Sequence, residues 1–210
     1  MNSVWDRHSV SGVQPQTSLD SEAILSATEE VLRRHGPSKA TVVDVARVLG
    51  VSHTAVYRYF PSKAALREAV TRRWLNRAND DLLAVAGDSR LASPDRLRAW
   101  LVTLFTVKRT LAWEDPELFA MYGILVAEHS GAAGEHVAGL LDQLQNIIGD
   151  GVAAGDFTAT ILEETAKAVF DATTRFHHPA HAAEWSAPGM DAALDRVCTL
   201  LLDGLSASRS

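Results

Sequence analysis

Proline and glycine divide this chain into pieces of helical length, and within them the apolar residues recur at helical spacing. From Asp20 to His35, Ile24, Ala27 and Val31 repeat together with Leu25 and Leu32, and Gly36-Pro37 closes the run. Thr41 opens the next piece as an N-cap, with Asp44 three positions on in a capping arrangement. That piece presents Val42, Val45, Ala46 and Leu49 and stops at Gly50. Ser52 caps a third piece through Phe60, ended by Pro61. Ser62 caps a fourth, whose Leu66, Ala69, Val70 and Trp74 keep the period towards Ala86. Beyond Gly87, Ser93-Pro94 and Asp115-Pro116 each read as an N-cap followed by proline, opening helices to about Trp113 and His129. Gly134 to Gly151, Ile161 to Phe176 and Met190 to Leu205 complete the set, with Gly155-Asp156-Phe157 as a turn. No stretch alternates β-branched and aromatic residues between turn clusters. The expectation is an all-α protein of about nine helices.

Charge divides the chain differently from its punctuation. Residues 1–77 hold eleven Lys and Arg against seven Asp and Glu, a net of +4, whereas residues 78–210 carry a net of −10. A basic first third joined to an acidic remainder suits approach of the first part alone to a polyanion. Several function classes drop out. No apolar run is longer than Leu82–Ala86, far short of the ~18–20 residues of a membrane span. The N-terminus has no apolar signal region, so a soluble, cytoplasmic protein is expected. The single Cys198 forms neither an intramolecular disulfide nor a Cys-x-x-Cys pair. There is no Gly-x-Ser-x-Gly elbow and no phosphate-cradling glycine loop, so no enzyme and no cofactor are expected.

The stretch Thr41 to Lys63, TVVDVARVLGVSHTAVYRYFPSK, carries the most information. Two short helices around a three-residue, glycine-containing turn form a helix-turn-helix unit. Val56 and Phe60, four apart with Ala55 close behind, face the core; His53, Thr54, Tyr57 and Arg58 are left on the outer face. No acidic residue occurs from Arg47 to Ala65, and such a face suits a DNA major groove. An ordinary helical hairpin with a solvated face has the same spacing.

These residues closely resemble the DNA-binding domain of TetR-type transcriptional repressors. The matching positions are Ile24-Leu25, Thr41, Asp44-Val45-Ala46, Gly50-Val51-Ser52, Val56-Tyr57, Tyr59-Phe60, Ser62-Lys63 and Leu66. The match covers residues 20 to 70, about a quarter of the chain. Departures are Ala27-Thr28, where two alanines are usual, and Ala55, where glycine or threonine is frequent. The resemblance implies a helix-turn-helix domain over residues 18–65 and an effector-binding and dimerisation domain over 66–210; residues 1–17, polar and aperiodic with Gly12 and Pro15, read as a disordered arm. Arg7 and His8 of that arm would be its route to a minor groove.

It also implies roles at matching positions. Ser52, His53 and Thr54 start the recognition helix, nearest base edges and phosphates, where free N–H groups add attraction. Tyr57 lies one turn on. Thr41 is cap and phosphate donor together, Tyr59 and Lys63 clamp the backbone, and Arg58 is either a phosphate contact or solvated. The expected partners are double-stranded DNA with a palindromic operator, an unidentified small-molecule effector, and a second copy of the chain.

For dimerisation the last two helices offer apolar stripes, Ile161, Ala168, Val169, Ala172 and Phe176 with Leu194, Val197, Leu201 and Leu205. These either build a four-helix bundle across a two-fold axis or pack within one subunit. The expected effector pocket takes in Trp100, Trp113, Tyr122 and Phe170, with Arg175 and His177 at the end of the last one's helix. Two other readings compete: a metal sensor using His177, His178 and His181, although Pro179 interrupts their helical spacing, and a helical adaptor without DNA binding.

Overall fold

In the computed structural model, which describes residues 19–206, ten α-helices and two short 3-10 turns carry the described chain. The arm expected over 1–17, with Arg7 and His8, lies outside the described residues. Asp20 caps α1 (Ser21–Lys39) by accepting the Ala23 N–H. This helix runs past its expected end at His35, because only Gly36 leaves helical geometry and Pro37 starts one further turn. Gly36 has φ +71°, a conformation that favours glycine, and a Cβ there would push the carboxylate tip of Glu117 aside from 2.9 Å. Thr41 caps α2 (Val42–Leu49) and Ser52 caps α3 (His53–Tyr57), which is shorter than the run expected to Phe60.

The fourth piece is two helices rather than one. Ser62 caps α4 (Lys63–Arg77), and the chain turns at Ala78-Asn79 before α5 (Asp80–Ala86). The turn sends Leu82 into the core while Asp80 and Asp81 occupy the favourable N-terminal turn. In α6 (Ser93–Glu114) the cap position belongs to Ala92, and Ser93 is already helical. Asp115 precedes α7 (Pro116–Ala127) as expected, yet makes no capping bond. Its carboxylate instead accepts from Arg33 Nε at 2.6 Å and Trp74 Nε1 at 3.2 Å, tying α1 and α4 to the start of α7.

The long α8 (Gly131–Ala154) ends at Gly155 in the left-handed region. Next come α9 (Leu162–Ala172), the 3-10 turns Thr174–Phe176 and Pro179–Glu184, and α10 (Met190–Leu205). The helix expected from Ile161 to Phe176 therefore stops four residues early. Thr173 Oγ1 turns back onto the carbonyls of Val169 and Phe170, both at 3.0 Å, as the helix unwinds.

The core of the larger unit is built on α6, whose Leu97, Trp100, Leu101, Leu104 and Phe105 are all buried. Phe105 meets Phe176 and Trp185 edge-on, and Phe119 meets Trp185, Trp74 and Tyr122 in the same way. No helix among the described residues is long and apolar enough to cross a membrane. α4 is the mechanical link. Around its buried stripe, Arg73 reaches Glu29 of α1 at 2.8 Å, the exposed Arg77 reaches the same carboxylate at 2.7 Å, and Arg72 grips Glu135 of α8 at 2.6 Å.

Candidate nucleic-acid interface

Two local signals set the angle between α2 and α3. Gly50 sits at φ 66°, ψ 28°, and its N–H together with that of Val51 closes the end of α2 on the carbonyls of Arg47 and Ala46. Ser52 is extended, and its hydroxyl accepts the Ala55 N–H at 3.2 Å to start α3. Val45, Ala46 and Val56 are buried between α1, α2 and α3, which turns the opposite face of α3 outward.

That face presents His53, Thr54 and Tyr57, and the other expected residues belong to the segments just before and after it. Thr41, Ser52, His53, Thr54, Tyr57, Arg58, Tyr59 and Lys63 are all exposed. His53 and Tyr57, one turn apart, meet edge to face with ring centroids 6.3 Å apart, so the two side chains form one surface. No ion pair engages Arg58 or Lys63 among the described residues, which leaves both cations available to phosphate.

Besides the capping Ser52, two of these side chains are already in use. Thr41 Oγ1 accepts the Asp44 N–H at 3.2 Å and donates its proton to Asp44 Oδ2 at 2.5 Å. That bond, followed by the one from Arg47, holds the Asp44 carboxyl below the usual carboxylate range. Donation by Thr41 to a phosphate would first have to break it. Tyr59 Oη donates to the Leu19 carbonyl at 2.6 Å, so this residue anchors the approach to α1 while its ring stays exposed. The salt bridge of Arg47 to Asp44 places one further cation beside the turn, a residue the sequence reading passed over.

In the larger domain the six residues expected to line an effector pocket do not share one wall. Trp100 is buried and donates through Nε1 to Gln143 Oε1 at 2.9 Å. Phe170 and His177 stack at 4.1 Å, with His177 Nε2 on the Phe170 carbonyl at 3.0 Å. Burial, the main cause, lowers the His177 pKa to about 4. Tyr122 is buried against Lys108, and burial raises its phenol well above the usual range. Trp113, by contrast, is 84 % exposed at the end of α6. Arg175 lies beyond α9 in a 3-10 turn, at the surface and paired with Glu184.

The three histidines are separately engaged. His178 Nδ1 accepts the Ala180 N–H, His181 Nδ1 meets Glu184 at 3.0 Å, and His177 faces inward. No group of three His, Cys, Asp or Glu side chains suited to a metal converges among the described residues.

The sequence reading missed Trp185 and Lys108. Lys108 continues the buried α6 stripe of Leu97, Leu101 and Leu104 at the same three- and four-residue spacing. A lysine in phase with a core stripe was the available signal.

Comparison with known proteins accords with this architecture. Residues 24–70 match the family described as bacterial regulatory proteins, tetR family, and residues 93–198 match the tetracyclin repressor-like C-terminal domain. Uncharacterised HTH-type transcriptional regulators from two strains of Mycobacterium tuberculosis are 29% identical over 107 residues. The chain spans about half the length of these curated relatives, 50%, with 51% of its own residues matched. Among solved structures, a TetR transcription regulator from Haloarcula marismortui superposes with TM-score 0.63 at 21% identity, over 88% of this chain and 97% of its own. FadR from Bacillus subtilis, solved in complex with stearoyl-CoA, gives 0.62 at 16% identity, over 89% and 100%. At those identities the likeness is one of fold. With both the N-terminal and the C-terminal domain matched, the chain belongs to the TetR family of transcriptional regulators.

Proposed function

We propose that this protein is a ligand-responsive repressor that binds a palindromic operator as a homodimer and is released by a small-molecule effector. The observation that carries the reading is the outer face of α3 and the segment after it: seven of the eight exposed candidate contacts, all but Thr41, fall in a stretch without a single acid from Arg47 to Ala65. His53 and Tyr57 read base edges, while Lys63 and Arg58 hold phosphates and set register. One such helix reads too few base pairs to select a site, so two copies reading successive half-sites are needed.

Unpartnered apolar residues on the last two helices support the dimer. Leu200 is 73 % exposed and Ile161 49 %, with Ala168 and Ala172 also at the surface, while Val169, Leu194 and Leu205 of the expected stripes pack inward. Of the first stripe Ile161, Ala168 and Ala172 face outward, whereas the second stripe is buried or half-buried and its helix offers Leu200, outside the stripe, instead. Support for a ligand comes from the fold, which FadR uses in complex with stearoyl-CoA. A ligand that binds better to one setting of α4 than to another would move the two recognition helices relative to successive grooves.

Selection from random duplex DNA, with the salt dependence recorded on the winning sequence, tests the reading. A palindrome should emerge. His53→Ala and Tyr57→Ala should change base preference, whereas Lys63→Ala should weaken all sequences and reduce the salt slope by about one. Equal loss of discrimination in all three variants, or no enriched sequence, would overturn the assignment.

A further inference from the structure

Between α4 and α8 lies a cavity of about 180 Å³, lined by Arg72, Leu75, Asn76 and Asn79 on one side and by Ala132, Glu135, His136 and Gly139 on the other. A cavity of roughly 150 Å³ holds a benzene ring, so the space accommodates a single ring with a small head group. The buried Leu75 and Ala132 back its wall, and Gly139 adds bare backbone. Its polar surface is rich in donors. Arg72 gives Nε and Nη2 to Glu135, at 2.6 and 3.2 Å, and keeps Nη1 without a partner among the described residues. Glu135 is the one acid on the lining, and Glu68 also acts on Arg72 from nearby.

His136 extends this donor set inward. Lys108 Nζ lies 2.8 Å from His136 Nε2 and 3.5 Å from Tyr122 Oη, with no carboxylate in ion-pair range among the described residues. When Lys108 donates to Nε2, the imidazole proton resides on Nδ1, which has no protein partner among the described residues. The result is a relay of donors, from a buried ammonium through an imidazole to the cavity. A buried cation with no counter-charge is costly, and an arriving anion would supply what the protein lacks.

We infer that this cavity is the effector site and takes a small carboxylic acid of about one aromatic ring, its carboxylate held by Arg72 and by His136 backed by Lys108. The inference rests on the ligand-responsive reading above and gives it a place and a chemical class. The location suits control of DNA binding. Arg72, Leu75 and Asn76 belong to α4, the helix that starts at Lys63 beside the recognition helix and carries the arginines gripping Glu29 of α1. An acid that draws Arg72 away from Glu135 loosens the tie between α4 and α8.

The test uses thermal unfolding of the full-length, DNA-free protein with sodium benzoate, benzamide, or sodium chloride at matched ionic strength. Two variants accompany the wild type. Arg72→Gln removes the cation from a half-exposed position. Gly139→Leu fills the cavity, because a Cβ at Gly139 meets nothing within 4 Å and leucine is the better helix former. Benzoate at a hundredfold excess over its Kd should raise the wild-type Tm by about 5–10 °C over chloride, and neither variant should respond. An equal shift with benzamide, no shift with benzoate, or a wild-type shift retained in either variant would overturn the inference. Operator affinity, read separately by fluorescence anisotropy, should fall ~5- to 150-fold with benzoate. A Tm shift without operator release upholds the site and counts instead against effector-controlled DNA binding.

Discussion

Replacing Lys108 with methionine should stabilise the protein, and by more as the pH falls. Lys108 is 2 % exposed, and its Nζ lies 4.5 Å from the centre of the Tyr122 ring. Burial pushes its pKa down from 10.5 to about 7. Between those values the unfolded chain holds a proton that the folded protein has released, so stability rises with pH across that window. Below pH 7 both states are protonated and the penalty is complete. At 1.36 kcal/mol per unit, a shift of about 3.5 units costs ~5 kcal/mol there, about 4 at pH 7 and about 2 at pH 9. Methionine has a similar length and no charge, and forfeits the bond to His136 Nε2, worth about 1 kcal/mol. The net gain is therefore about 3 kcal/mol at pH 7, about 1 at pH 9, and none near pH 10.5. Urea unfolding of both proteins from pH 6 to 9 measures this difference directly, with the m-values compared to confirm the same transition. A stability difference that does not change with pH, or a variant that loses stability at pH 6, would mean that Lys108 is solvated or paired in the folded protein and would refute the reasoning.

Other parts of the molecule yield sharp expectations. Glu29→Ala removes the carboxylate shared by Arg33, Arg73 and Arg77, leaving the 15 %-exposed Arg73 with the exposed Glu22 as its one ionic partner among the described residues; a loss of about 3 kcal/mol in urea unfolding is expected. Gly151→Ala would put a Cβ 2.2 Å from Phe157 Cδ2, so Tm should fall with a destabilisation of about 1–3 kcal/mol. His177, with its pKa lowered from 6.5 to about 4, takes up its proton in the unfolded state first, so stability declines as pH falls from 6.5 to 4 and then levels. Comparing His177→Gln with wild type across that range should show ~3 kcal/mol less acid-induced loss in the variant.

Much of this protein is readable from short stretches of its sequence. Thr41, Ser52 and Ser62 cap the helices that follow them, and Gly50 takes up the left-handed turn that sets α3 against α2. Caps and turns are satisfied within three or four residues, so their chemistry is complete before any distant part of the chain arrives. The exposure of His53, Thr54 and Tyr57 follows for the same reason: burying Val56 on α3 leaves only the opposite face for them.

Where the partner lies tens of residues away, the local pattern is silent. Asp115 stands at a cap position, but its carboxylate goes to Arg33 and Trp74, 82 and 41 residues distant in sequence. Trp113 and Trp185 are both large and aromatic, yet α6 ends with the first in solvent while the second is enclosed by Phe105 and Phe119. Arg175 and His177, two residues apart, are parted by the early end of α9, one to the surface and one inside. The meeting of Lys108 with Tyr122 and His136 requires α6, α7 and α8 to pack first, because the free energy of a buried charge depends on every group brought around it and not on its neighbours along the chain.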